Sequence, residues 1–161
     1  MAYESNSGTG GRLTVSQWLA LISSIIFIGV GVAGFFVTGF DDFAGHDTNK
    51  ELLIFEVNPL HNIVHLVLGA IGLALFTRVR GALTYGIIVA VAYGGAFLYG
   101  LVALGQEWDV LSLNAEDNWL HLGLAVLGGV IAAVAAYELS PSARRSPVSR
   151  GADRGPAAGH A

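Results

Sequence analysis

Three histidines, His61, His65 and His121, stand out in a chain otherwise poor in reactive groups. His61 and His65 are one helical turn apart, so in a helix they share a face, on the same stripe as Asn58 and Gly69. Two imidazoles on one face can hold one metal ion. His121 adds a third nitrogen, which completes a ligand set suited to zinc or copper(II), with Glu56, Glu116 or Asp117 near the mouth. A second arrangement pairs His61 with His121 across a bundle as axial ligands of haem b.

The same residues also fit a plain structural role. Asn is a favoured N-cap and Pro is favoured at the first helical position, so Asn58-Pro59 reads as a helix start, with Asn118 as its counterpart further on. His61 and His121 then fall at the third helical position, where a polar side chain can bond back to the cap. His65 lies one turn deeper, where an imidazole must find a partner inside the bundle. Interhelical hydrogen bonds among these histidines and Asn58, Asn62 and Asn118 would meet that need without any cofactor. A third role is sensing of outside pH by the same imidazoles.

Other chemistries find little support. The chain has no cysteine, so thiolate sites and disulfides are excluded, and its single methionine is Met1. No nucleophile elbow, zinc-protease helix, P-loop or dinucleotide fingerprint occurs. A folded basic domain for nucleic acid is missing. His46 in a loop and His160 near the C-terminus are lone histidines with no neighbours in sequence to suggest a site.

What must position the histidines is a membrane bundle. Of 161 residues, 53% are hydrophobic and 12% charged. Four windows, Val15–Phe40, Pro59–Thr77, Ala82–Leu104 and Trp119–Tyr137, contain no Asp, Glu, Lys or Arg. Each is long enough to cross the hydrocarbon layer as a helix, which takes about 20 residues. Trp18, Trp108, Trp119 and Tyr137 fall near window ends, as an interfacial aromatic belt requires. Apart from the histidines, the windows offer few polar groups, and none is a carboxylate or arginine of the kind ion transport uses. Glu138, just past the fourth window, is expected to be solvated.

The two signs of charge are sorted. Arg12, Arg78, Arg80, Arg144, Arg145, Arg150 and Arg154 lie in the N-terminal arm, the loop after the second window, or the tail, while both other loops are acidic. The positive-inside rule then puts both termini in the cytoplasm. Residues 1–12 read as a flexible arm, 13–139 as the transmembrane domain, and 140–161 as a disordered basic tail. Asn58-Pro59-Leu60-His61 and Asn118-Trp119-Leu120-His121 open the second and fourth helices alike, which predicts two repeated helical hairpins, Val15–Thr77 and Ala82–Tyr137. Glycines on every helix suit close packing in lipid, within the bundle or against a second copy or another membrane protein.

The segment Asn58-Pro-Leu-His61-Asn-Ile-Val-His65, followed by a glycine-containing apolar helix, resembles the hallmark of a family of small four-helix membrane proteins. That family is bacterial, largely actinobacterial, and carries a domain of unknown function. The similarity covers Leu13 to Leu139 and includes Asn118-Trp-Leu-His121. It implies a four-helix fold in the bacterial plasma membrane and no particular activity. The function expected first is therefore a non-enzymatic accessory, scaffold or stress-related membrane component without a cofactor, and the haem- or metal-binding protein is the alternative.

Overall fold

The computed structural model describes residues 12–45 and 50–141. Four helices make up most of it: α1 (Val15–Thr38), α2 (Pro59–Leu75), α3 (Val79–Ala103) and α4 (Ala115–Leu139). α1, α3 and α4 are long and apolar enough to cross a membrane. α2 has 17 residues, about 25 Å at 1.5 Å per residue, a little short of the hydrocarbon layer. The expected arm (1–12) and tail (140–161), with Arg144, Arg145, Arg150, Arg154 and His160, lie almost wholly outside the described residues, as does His46.

Two helix starts differ from the uncharged windows. α3 begins at Val79, taking in Arg80, and α4 begins at Ala115, taking in Glu116 and Asp117. Charge ends a hydropathy window but does not end a helix, and acidic residues in a first turn are favoured by the helix dipole. The fold is all-α, with one small addition in a loop. Between α1 and α2, β1 (Glu51–Leu52) and β2 (Phe55–Glu56) pair antiparallel in the register Glu51 with Glu56 and Leu52 with Phe55. Leu53 turns this hairpin at a positive φ of 64°, and with Ile54 it points two large apolar side chains outward.

α1 packs mainly on α2, and α3 on α4, as two hairpins. Between α3 and α4 the backbones meet at Gly86 and Gly128, where a side chain on either would strike the other helix. α2 and α4 face each other across the bundle through side chains rather than backbone contact. Ala20, Phe27, Leu68, Tyr85, Val89, Tyr93 and Ile131 form the centre of the core. Meanwhile Ile22, Ile25, Ile26, Val91, Leu98, Val126 and others face outward. Large apolar patches on the outside of apolar helices match a lipid environment rather than water. Trp18, Trp108, Trp119 and Tyr137 are all exposed.

Glu138 is not simply solvated. Its carboxylate accepts from Thr14 Oγ1 at 2.7 Å, Ser16 Oγ at 2.5 Å and the Ser16 backbone N–H at 3.2 Å. The end of α4 thereby caps the start of α1, where an anion meets unpaired N–H groups and the positive end of the dipole. Glu138→Ala is expected to lower stability in detergent by about 1–3 kcal/mol, since three charge-assisted bonds are lost at once. A denaturation midpoint equal to that of the unaltered protein would show that this clasp contributes nothing.

Candidate functional site

Helix capping places the site. Asn58 is the N-cap of α2, its Oδ1 accepting the His61 backbone N–H at 2.9 Å, with Pro59 in the first turn. In α4 the cap is Asn114, whose Oδ1 accepts the Asp117 N–H at 2.9 Å. Asn118 is therefore not a cap but lies inside the helix, and His121 lies one turn deeper than the third position expected for it. The repeat is present in a different register from the one that Asn-x-Leu-His suggests. At one constant offset, Asn58 matches Asn114, His61 matches Asp117, Asn62 matches Asn118, His65 matches His121 and Gly72 matches Gly128. The shared pattern is Asn-x-x-His/Asp-Asn-x-x-His.

Contacts obey the same symmetry. Asn58 Nδ2 donates to the Val110 carbonyl at 2.8 Å in the second hairpin's loop, and to Gly45 O at 3.1 Å. Asn114 Nδ2 donates to the Ile54 carbonyl at 2.7 Å in the first hairpin's loop, and Ile54 and Val110 are themselves repeat-related. Each cap thus starts its own helix and holds the other hairpin's loop. Asn62 fills the space left by Gly34 of α1, and Asn118 fills that left by Gly100 of α3. These asparagines act as interhelical packing groups, and Asn62 Nδ2 also donates to Thr38 Oγ1 at 2.9 Å.

With the helices so placed, His61, His65 and His121 converge, one ligand nitrogen from each lying within 4.8 Å of the others. Nε2 of His61 and His65 are 3.1 Å apart. Asp117 Oδ2 stands 3.8 Å from His61 Nε2 and 3.7 Å from His121 Nε2. The carboxylate expected near the mouth belongs to the cluster itself, while Glu116 is exposed. All four side chains are nearly closed off, with exposures of 3% for His61, 6% for His65 and 2% for both His121 and Asp117. Bulk water therefore does not solvate them, and each polar atom needs a partner inside.

One imidazole has its partner. The Tyr93 hydroxyl lies 3.0 Å from His65 Nδ1, orienting that ring so that Nε2 points into the cluster. Counted from Gly34 and Gly100, which play the same part in α1 and α3, the position in α1 that corresponds to Tyr93 is Phe27, which has no hydroxyl to offer. Asp117 Oδ2 and His121 Nδ1 have no hydrogen-bond partner among the described residues. The carboxylate oxygen is aimed between two nitrogens at a distance too long for a hydrogen bond. In a tetrahedral site with metal–ligand bonds of about 2.0–2.2 Å, ligand atoms stand about 3.3 Å apart. Three of the separations, 3.1, 3.7 and 3.8 Å, lie near that value, and the histidine nitrogens, within 4.8 Å of one another, would draw together around an ion.

Sequence reasoning placed Asp117 near the mouth, as one of three carboxylates, and did not bring Tyr93 of α3 to the site. Asp117 becomes legible once α4 is read from Asn114, because the Asn-x-x-His/Asp-Asn-x-x-His pattern puts it in the place of His61. Two cavities flank the cluster, one of about 150 Å³ against α1 and α4 and one of about 30 Å³ against α2 and α3. A family model described as a domain of unknown function (DUF4383) matches residues 17–134. No curated protein and no solved structure matches the chain.

Proposed function

The chain belongs to the DUF4383 family, and from that premise we propose that it is a four-span, non-enzymatic membrane component that holds one divalent transition-metal ion between its two hairpins. The family description names no activity, so the reading rests on this chain's own residues. The observation that carries it is the convergence of three buried imidazoles from two helices on an unpartnered buried carboxylate oxygen.

In this reading His61, His65 and His121 bind through Nε2, and Asp117 Oδ2 supplies the fourth ligand. Three nitrogens and one oxygen suit zinc or copper(II), and no thiolate is available for softer ions. When bound, the ion neutralises the carboxylate and joins α2 to α4, whose backbones do not touch. Tyr93 keeps His65 in place by its hydroxyl, the outer-sphere role that tunes many metal histidines. A single ion is favoured over haem b. The two nitrogens of His61 and His65 lie on one side at 3.1 Å, and the adjoining cavity of about 150 Å³ is below the range of about 300–1,000 Å³ typical of cofactor pockets.

Four spans are proposed because α2, though short, is followed by Phe76 and Thr77 before Arg78. Arg12, Arg78 and Arg80 at the opposite end from the histidines support cytoplasmic termini, with the metal site toward the outside of a bacterial plasma membrane.

Elemental analysis of detergent-purified protein should find about one zinc or copper per chain. His65→Ala and His121→Ala should each weaken binding tenfold or more, with helical content unchanged by circular dichroism. Acidification should release the ion, because a ligating imidazole must be neutral. Protein that stays metal-free after incubation with excess zinc and copper would leave the cluster as a hydrogen-bonding core and end the metal reading.

A further inference from the structure

The cavity of about 150 Å³ beside the cluster has a distinctive build. Its walls are apolar, from α1 (Phe27, Val30), α4 (Leu120, Leu124) and the segment around the β1–β2 hairpin, and its floor is His61, His65 and Asp117. On the α1–α4 seam its lining residues Ile26 and Leu120 are 55% and 39% exposed, and Leu53 of the hairpin turn is 84% exposed. In a membrane-spanning bundle the apolar seam below the hairpin faces lipid, and that is the side from which an apolar molecule would enter. The related cavity on the other seam, at about 30 Å³, has room for little more than a water molecule.

Size, polarity and charge each narrow the occupant. An apolar cavity of about 150 Å³ takes one benzene-sized ring, so a glycerophospholipid headgroup is too large. No Lys or Arg lines it among the described residues, and Asp117 stands at its floor, so a phosphate or fatty carboxylate would meet a like charge. What the floor lacks is a donor, since Asp117 Oδ2 is buried and unpartnered. The occupant is therefore a neutral aromatic ring bearing a hydroxyl, reached through lipid and so attached to an apolar chain.

We propose that this cavity binds the ring headgroup of a lipid-borne quinol, its hydroxyl donating to the Asp117 carboxylate, its ring against Phe27, and its chain leaving between α1 and α4. The cavity walls do not depend on an ion at the histidines, but Asp117 Oδ2 is the acceptor here and a ligand in the metal reading, so the ring is expected in the metal-free protein and a bound ion competes with it.

The test uses full-length protein in nanodiscs, stripped of metal, with a hydroquinone bearing one decyl chain as the probe. Binding is measured by equilibrium partition against empty nanodiscs. One saturable site per chain is expected, with at least tenfold weaker binding of the dimethyl ether, which keeps ring and chain but has no hydroxyl to donate. Val30→Phe and Leu124→Phe, which fill the cavity without touching His61, His65 or Asp117, should each reduce binding tenfold or more. Zinc content of these two variants reports on the metal site separately. No saturable binding above empty nanodiscs, equal binding of the ether, or undiminished binding by both folded variants would overturn the proposal.

Discussion

Gly128→Val is expected to push α3 away from α4 and to cost about 3 kcal/mol or more, the upper end of the overpacking range. A Cβ at Gly128 would lie 2.4 Å from the Ala90 nitrogen and 2.7 Å from the Gly86 carbonyl oxygen. From the other side, a Cβ at Gly86 would lie 2.6 Å from Ala132 N and 2.8 Å from Gly128 O. These are backbone atoms already committed to helical hydrogen bonds, so no rotamer change can make room. In lipid, moreover, close packing is a main source of helix association, because lipid tails are as apolar as the helix surface. Gly123→Val is the control, since a Cβ there meets nothing within 4 Å. Denaturant midpoints in detergent should fall sharply for Gly128→Val and stay near the starting value for Gly123→Val. Equal midpoints for the two would mean that α3 and α4 do not meet at this glycine.

Replacing both helix caps should have the other large effect. Asn58→Ala loses the cap of α2, at about 1 kcal/mol, together with the donations to Val110 O and Gly45 O at about 1 kcal/mol each. Asn114→Ala loses the cap of α4 and the donation to Ile54 O. Single variants should cost about 2–3 kcal/mol, and the double variant at least their sum, because each asparagine ties its own helix to the opposite hairpin's loop. Aspartate separates the two roles. Asn58→Asp and Asn114→Asp keep the capping oxygen but turn the donor into an acceptor facing a carbonyl. If Asn114→Asp were as stable as the unaltered protein, the link between hairpins would carry no energy and only the capping would matter.

Hydropathy made much of the fold legible. Burial in lipid imposes a long uncharged run wherever a helix crosses, so the positions of α1 to α4 were readable within a few residues, and Asn58-Pro59 marked the start of α2. Helix ends were less legible where Arg80, Glu116 and Asp117 sit inside α3 and α4, because charge ends a hydropathy window without ending a helix. The β1–β2 hairpin left no signal, since two paired residues per strand are too few for an alternating pattern. Glu138 looked solvated because its partners, Thr14 and Ser16, lie at the far end of the chain.

The candidate site divides in the same way. Local spacing alone determined that His61 and His65 share a face, because the rise and rotation of a helix are fixed by its backbone geometry. The residue inventory also determined that any ligand set must be imidazole and carboxylate, since no cysteine exists. Only the tertiary structure decided that His121 reaches them, that Asp117 stands between His61 and His121, and that Tyr93 holds His65. Those facts depend on the rotation of α2 and α4 about their axes, which is set by where Asn62 and Asn118 seat against Gly34 and Gly100. Sequence pattern resolves one helix at a time, and a slip of one helical turn in comparing α2 with α4 was enough to pair His61 with His121 in place of Asp117.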